Sequence, residues 1–200
     1  RLVETNLLAF NAGDEVNING PAASPVNIIG TVIDDTITTG SSFDMLVGYL
    51  GTDTLVGGAG NDTYSFGTQA DMSSDVIVEL AGGGTDRLRG AAGIDFRTLT
   101  VDFGAGAGAS SDLSGAGTAG IEEIVLGTGA TSTFLGTQLT GNTIAIAESA
   151  DTGATTLAVT LGDGSNTDLS NLSFPSLLGS GTFDSSAVGG DGADVVEITG

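Results

Sequence analysis

Gly57-Gly58-Ala59-Gly60-Asn61-Asp62-Thr63-Tyr64-Ser65 is the stretch that decides how this chain folds. Its three glycines let the backbone turn its carbonyls inward without Cβ clashes, and Asp62 adds a charged oxygen to the same concave surface. Oxygen ligands packed on such a turn are what a hard cation selects. Counted outward in nines, the sequence reads GTVIDDTIT (30–38), TGSSFDMLV (39–47), GYLGTDTLV (48–56) and GGAGNDTYS (57–65). Asp35, Asp44, Asp53 and Asp62 share the sixth position, and Ile37, Leu46, Leu55 and Tyr64 share the eighth. The eighth residue is always large, as the inward face of a short strand requires. Gly48, Gly51, Gly57 and Gly60 hold the first and fourth positions of the last two units, whereas Ile33 and Ser42 replace the fourth glycine in the first two. Aspartate ends turns in many proteins, but turns alone do not demand ninefold spacing.

Composition narrows the chemistry. In 200 residues, 25 Asp and Glu face four Arg and no Lys, for a formal net charge of −21. Nucleic acid and anionic membrane surfaces are therefore disfavoured as partners, and cations are favoured. Hydrophobic residues reach 40% and mean hydropathy is +0.27, so a core can form once carboxylate repulsion is relieved. Without His or Cys there is no Ser-His triad, thiolate nucleophile, imidazole metal site or structural zinc. The absence of Cys suits a secreted bacterial protein braced by Ca²⁺ in place of disulfides. No apolar run approaches the ~20 residues needed to span a bilayer. The start at Arg1, without an initiator methionine, is expected of a piece of a longer protein.

The tandem resembles the G-G-x-G-x-D-x-U-x nonapeptide of the repeats-in-toxin (RTX) calcium-binding proteins. Residues 57–65 match it completely, as do residues 189–197 (GGDGADVVE), which carry Asp191 and Asp194. The resemblance implies an all-β fold, a parallel β-roll or β-solenoid in which two nonapeptides make one turn and residues eighteen apart stack. Asp35 would then lie under Asp53, and Asp44 under Asp62, each stacked pair binding Ca²⁺ together with carbonyls of the glycine turns.

Around that block the chain divides into four parts. Residues 1–29 read as one or two strands that cap the solenoid, or as a linker broken by Pro21 and Pro25. Residues 30–66 hold the four repeats. Residues 67–188 form a degenerate β-solenoid or sandwich-like section, with a weak repeat pair at 81–98. That pair sets Asp86 and Asp95 nine apart behind Gly84 and Gly93; Asp86 is a candidate ligand, while Arg97 falls where an apolar residue belongs. Residues 189–200 read as the start of a second repeat block. Only a turn near 168–178 is expected to be helical.

Catalysis is not expected. Glu122 and Glu123 are neighbours on a strand, so they point to opposite faces and cannot flank one glycosidic bond. A calcium-bound lyase using an arginine base would have to draw on Arg87, Arg89 or Arg97, in a chain with no Trp. The leading expectation is a calcium-dependent extracellular structural or adhesive module, such as a surface-layer, matrix-fibre or adhesin segment. Its partners would be copies of itself, neighbouring repeats or cell-surface polysaccharide. The alternative is a secretion and folding module of a larger enzyme or toxin. Asp53→Ala and Asp62→Ala should each weaken Ca²⁺ uptake, measured calorimetrically, more than Asp112→Ala outside the repeats; equal effects would remove this assignment.

Overall fold

The computed structural model describes residues 3–6, 15–17, 25–72, 74–79, 83–102, 109–110, 113, 120–149, 155–161, 166–175, 186–188 and 194–199. Short strands dominate from the start: β1 (Val3–Asn6), β2 (Glu15–Asn17), β3 (Val26–Ile29), β4 (Thr36–Thr38), β5 (Met45–Val47), β6 (Thr54–Val56) and β7 (Thr63–Phe66). A helical turn, α1 (Gln69–Met72), leads to β8 (Val76–Val78), β9 (Arg87–Gly90), a 3₁₀ turn at Phe96–Thr98, β10 (Thr100–Asp102) and β11 (Ala109–Ser110). Next come β12 (Glu123–Leu126), β13 (Thr131–Leu135), α2 (Gly136–Leu139), β14 (Ala145–Glu148) and β15 (Thr156–Leu161). The last strands are β16 (Asn166–Asp168), β17 (Ser186–Val188) and β18 (Asp194–Thr199).

Up to β10, successive strands alternate between two sheets, so that two strands make one turn of a coil. One sheet runs β1-β3-β5-β7-β9-β12-β14 and is parallel throughout. The other runs β2-β4-β6-β8-β10, also parallel, and closes with β11 antiparallel to β10. Residues 1–29 thus contribute β1 and β2 to the stack.

A strand of three residues presents only its middle side chain inward, and the repeat's large eighth residue occupies that place. Ile28, Leu46, Tyr64, Leu88, Ile124 and Ile146 form one buried column. Ile37, Leu55, Ile77 and Val101 form the facing one, and every member of both columns is 0% exposed. Arg87 and Arg89 flank Leu88 and point outward, as strand alternation requires.

The step between stacked turns is eighteen residues for β4 to β6 and β5 to β7, then lengthens to 22 and 24. It reaches 36 between the residues that precede β9 and β12. Extra residues are absorbed in the turns, so the strands keep register. Beyond the coil, β13 and β15 pair in parallel, and Phe134 of β13 stacks on Phe96 with ring centroids 4.7 Å apart. Buried Gln138 of α2 donates to the Phe96 carbonyl (2.9 Å) and accepts the Leu135 N–H (2.7 Å), tying this layer to the coil.

One expectation is corrected here. Helical turns fall at 69–72, 96–98 and 136–139, where insertions must reverse the chain between strands, and the described part of 168–178 holds none. At the C-terminal end, β18 pairs antiparallel with β15, Asp194 lying opposite Leu161. Within 194–199 the strand therefore does not stack as another parallel turn, and the glycine turn expected at 189–193 lies outside the described residues.

Leu55→Ala should cost about 2–5 kcal/mol in urea unfolding with Ca²⁺ present, as loss of a buried side chain does. Thr54→Ala, on the outward face, should stay within about 0.5 kcal/mol. Equal costs would overturn the assignment of inward and outward faces.

Candidate metal centre

One residue before each coil strand from β4 to β9 stands an aspartate: Asp35, Asp44, Asp53, Asp62, Asp75 and Asp86, all at most 3% exposed. The backbone N–H of each except Asp75, which donates to the Met72 carbonyl (3.3 Å), donates to the carboxylate one turn further along. Asp35 donates to Asp53 Oδ1 and Asp53 to Asp75 Oδ1, both at 2.8 Å. On the other side Val26 donates to Asp44 Oδ1 (2.9 Å), Asp44 to Asp62 and Asp62 to Asp86 (2.8 Å each), and Asp86 to Glu122 Oε2 (2.7 Å). Two carboxylate ladders therefore climb the two edges of the coil.

The ladder uses one oxygen of each group. The second oxygen, Oδ2, of Asp53, Asp62 and Asp75 is buried with no hydrogen-bond partner. A polar group left so costs about 1–3 kcal/mol, and more when charged. Asp35, the lowest member of its ladder, differs: its Oδ2 accepts the Thr31 N–H (2.6 Å) and hydroxyl (2.9 Å), and its Oδ1 is the orphan.

The glycines explain where the free oxygens point. A Cβ on Gly57 would lie 2.5 Å from both Asp62 Oδ2 and the Tyr64 hydroxyl, and one on Gly48 would collide with Asp53 Oδ2. First-position glycines are thus the floor beneath a carboxylate. Fourth-position glycines have a separate duty. Gly51 and Gly60 take φ of +131° and +133°, and a Cβ there would strike the backbone of Ile33 and of Ser42 one turn below. Ile33 and Ser42 keep negative φ. The first two units dispense with the fourth glycine at those places.

Burial pushes these carboxyls up from their ordinary 3.8: Asp53 to about 6, with Asp35 and Asp34 adding repulsion, and Asp62 and Asp75 to about 7. Asp86 is also raised by burial. Glu79, whose Oε1 accepts the Tyr64 hydroxyl, goes to about 9 for the same reason. Tyr64 in turn accepts the Gly57 N–H at 2.9 Å. Among the described residues, the outer-surface ion pairs of Arg87 with Glu123 and Arg97 with Asp95 (both 2.6 Å) do not reach the ladders. Glu122 and Glu123 take opposite sides, one accepting from Asp86 and one from Arg87.

The donor set fits a hard divalent cation. Orphaned carboxylate oxygens lie over glycine turns that a single methyl group would fill. Among the described residues no three acidic groups converge on one point, so a cation held here would take most of its oxygens from turn carbonyls. Ca²⁺ accepts six to eight oxygens in flexible geometry, carbonyls included.

Asp35, Asp44, Asp53, Asp62 and Asp86 are brought into the ladders together with Gly48, Gly51, Gly57 and Gly60. Asp191 lies outside the described residues, and Asp194 heads a strand remote in direction from the roll. Counting in nines missed Asp75 and Glu79, because α1 displaces the count. The usable signal was Asp75-Val76-Ile77-Val78, an aspartate directly before a short apolar strand.

A model of the RTX calcium-binding nonapeptide repeat matches residues 29–64 and 80–96, with four copies. No curated protein and no solved structure matches the chain.

Each raised pKa stabilises the metal-free fold fully below about pH 4, where the group is protonated folded or unfolded, and that contribution is lost as pH rises through the folded value. For Asp53, Asp62 and Asp75 the window runs from about 4 to about 7. In EGTA the urea midpoint should therefore fall across this window, and saturating Ca²⁺, which binds the ionised form, should abolish the fall. A midpoint that rises in EGTA over the same range would contradict the burial described.

Proposed function

The chain carries RTX calcium-binding repeats, and we propose that it serves as a calcium-dependent structural or adhesive module of an extracellular bacterial protein, of the surface-layer, matrix-fibre or adhesin kind. The observation that carries this reading is the set of buried carboxylate oxygens without partners at Asp53, Asp62 and Asp75. They make the fold conditional on a cation. With a net charge of −21 the unliganded chain repels itself, and each cation bound only to the folded state adds RT ln(1 + [L]/Kd), about 2.7 kcal/mol at a hundred times Kd.

The proposed ligands are Asp35, Asp44, Asp53, Asp62 and Asp86, with the carbonyls of the Gly48–Gly51 and Gly57–Gly60 turns. Bound Ca²⁺ supplies positive charge and nothing redox or nucleophilic. The chain's own part is to fix one carboxylate oxygen by a backbone N–H and aim the other at the turn. Where Ca²⁺ is scarce, as inside a cell, the repeats remain unfolded and exportable; at millimolar concentration outside, they close. This role is non-catalytic, in keeping with Arg87 and Arg97 being engaged in surface ion pairs.

Assembly with copies of the same chain, or with neighbouring repeats, accords with the sheet order. The parallel sheets end on β1 and β2, and a strand edge offers backbone groups on which another turn stacks. Above about pH 7, where the buried carboxyls ionise, far-ultraviolet circular dichroism should show a largely disordered chain in EGTA that gains β signal on adding CaCl₂. Electron micrographs of the same samples should show sheets or fibres only with Ca²⁺. An unchanged spectrum sinks the metal-coupled fold; a β-rich monomer at every Ca²⁺ concentration sinks the assembly role alone.

A further inference from the structure

Between β7 and β8 Asp71 still stands nine after Asp62, but the glycine turn of the repeat lapses, and the family match stops at residue 64 to resume at residue 80. Gly67, α1 and Asp75 fill the interval. Resting on the calcium reading of the repeats, we propose that Asp71 and Asp75 form an additional Ca²⁺ site, built by the helical insertion and supplied by no nonapeptide.

Asp75 is the starting point. It stands above Asp53 in the ladder, its Oδ1 accepting the Asp53 N–H at 2.8 Å. Its side chain is 0% exposed, and its Oδ2 has no hydrogen-bond partner. That is the condition of Asp53 and Asp62, yet no nonapeptide turn leads into this residue. Burying such an oxygen bare is costly, so the turn must bring a positive partner.

Asp71 supplies what the missing glycine turn would have supplied. The Thr68 hydroxyl accepts the Asp71 N–H at 3.3 Å, and the carboxylate lies back over Gly67, where a Cβ would come within 3.0 Å of Asp71 Oδ2. Gly48 and Gly57 hold the same relation to Asp53 and Asp62. Asp71 is only 5% exposed, and its charge, with those of Asp53 and Asp34, acts on Asp75. The helical turn is also clamped in place. Gln69 donates to the Asp95 carbonyl (3.1 Å) and accepts the Asp95 N–H (2.7 Å), which pins α1 to the following turn of the coil. Carboxylate oxygens are hard donors, which select Ca²⁺ over the softer transition metals.

Equilibrium dialysis of the intact chain against ⁴⁵Ca²⁺, with circular dichroism on the same samples, tests the site. The double variant Asp71→Asn/Asp75→Asn should bind one Ca²⁺ fewer per chain than the parent while keeping the β signal in excess Ca²⁺. An unchanged number of ions, bound as tightly, overturns the additional site and leaves the repeat sites standing. A parent chain that takes up no Ca²⁺ overturns both readings. If the double variant fails to fold in Ca²⁺, Asp71→Asn alone decides, because its carboxylate accepts no ladder hydrogen bond. It should weaken uptake of a single ion, and a titration superimposable on the parent's overturns the proposal.

Discussion

The structure depends on one hydrogen bond repeated along the coil: an aspartate N–H donating to the carboxylate of the aspartate one turn away, at 2.8 Å each time among Asp35, Asp53, Asp75 and Asp44, Asp62, Asp86. It sets the register between turns. It also fixes each carboxylate by one oxygen, and in Asp53 and Asp62 it leaves the other turned inward over a glycine. Stacking and cation demand are thus one geometric fact. A side chain that only ended a turn could rotate its oxygens to water; these cannot, because the strand that follows each one is locked into a parallel sheet.

The constraint also accounts for the tolerance of the coil to insertions. Turns lengthen from eighteen residues to 22, 24 and 36 without loss of the ladder. What must be preserved is an acidic residue immediately before a short strand with one large inward side chain. Asp75 ahead of Val76-Ile77-Val78 meets that requirement despite α1, and so does Glu122 ahead of β12, where the longer side chain reaches the Asp86 N–H. Loop-closure entropy grows only slowly with length, so added residues cost less than a lost ladder contact would.

Much of this was legible in the residues. Aspartates and large apolar residues recurring every nine positions gave the inward residues Leu46 and Tyr64, and the resemblance to the RTX nonapeptide implied the stacking of Asp35 on Asp53 and of Asp44 on Asp62. The rest was hidden for physical reasons. A fixed count lands on Asp71 but passes over Asp75, the residue that α1 delivers to the ladder, and only burial reveals that Asp75 has a bare oxygen. Residues 189–197 spell a complete repeat, but strand direction is set by the neighbouring sheet, and β15 takes β18 antiparallel. A motif specifies local turn geometry; it does not specify what the strand after it will pair with. The N-terminal strands were ambiguous because Pro21 and Pro25 suggest a linker, while the partners that make β1 and β2 part of the stack lie 21 or more positions away, at Val26 and Thr36.

Along the coil the filling of the interior changes kind. From Asp35 to Asp62 the space over the turns holds carboxylates above glycines. At the next level Glu79 stands where Gly57 stands one turn earlier, and its carboxyl, pushed up to about 9 by burial, is met by the Tyr64 hydroxyl. A group with so high a pKa carries a proton at neutral pH, so a neutral hydrogen-bonded acid replaces a bare charge there. Higher still, Leu126 occupies the register position of Gly48, and Phe96, Phe134, Leu139 and Ile144 fill the interior with apolar atoms. The need for a cation is therefore concentrated between Asp35 and Asp86. Among the described residues from Ile121 to Phe174, cohesion comes from ordinary hydrophobic burial.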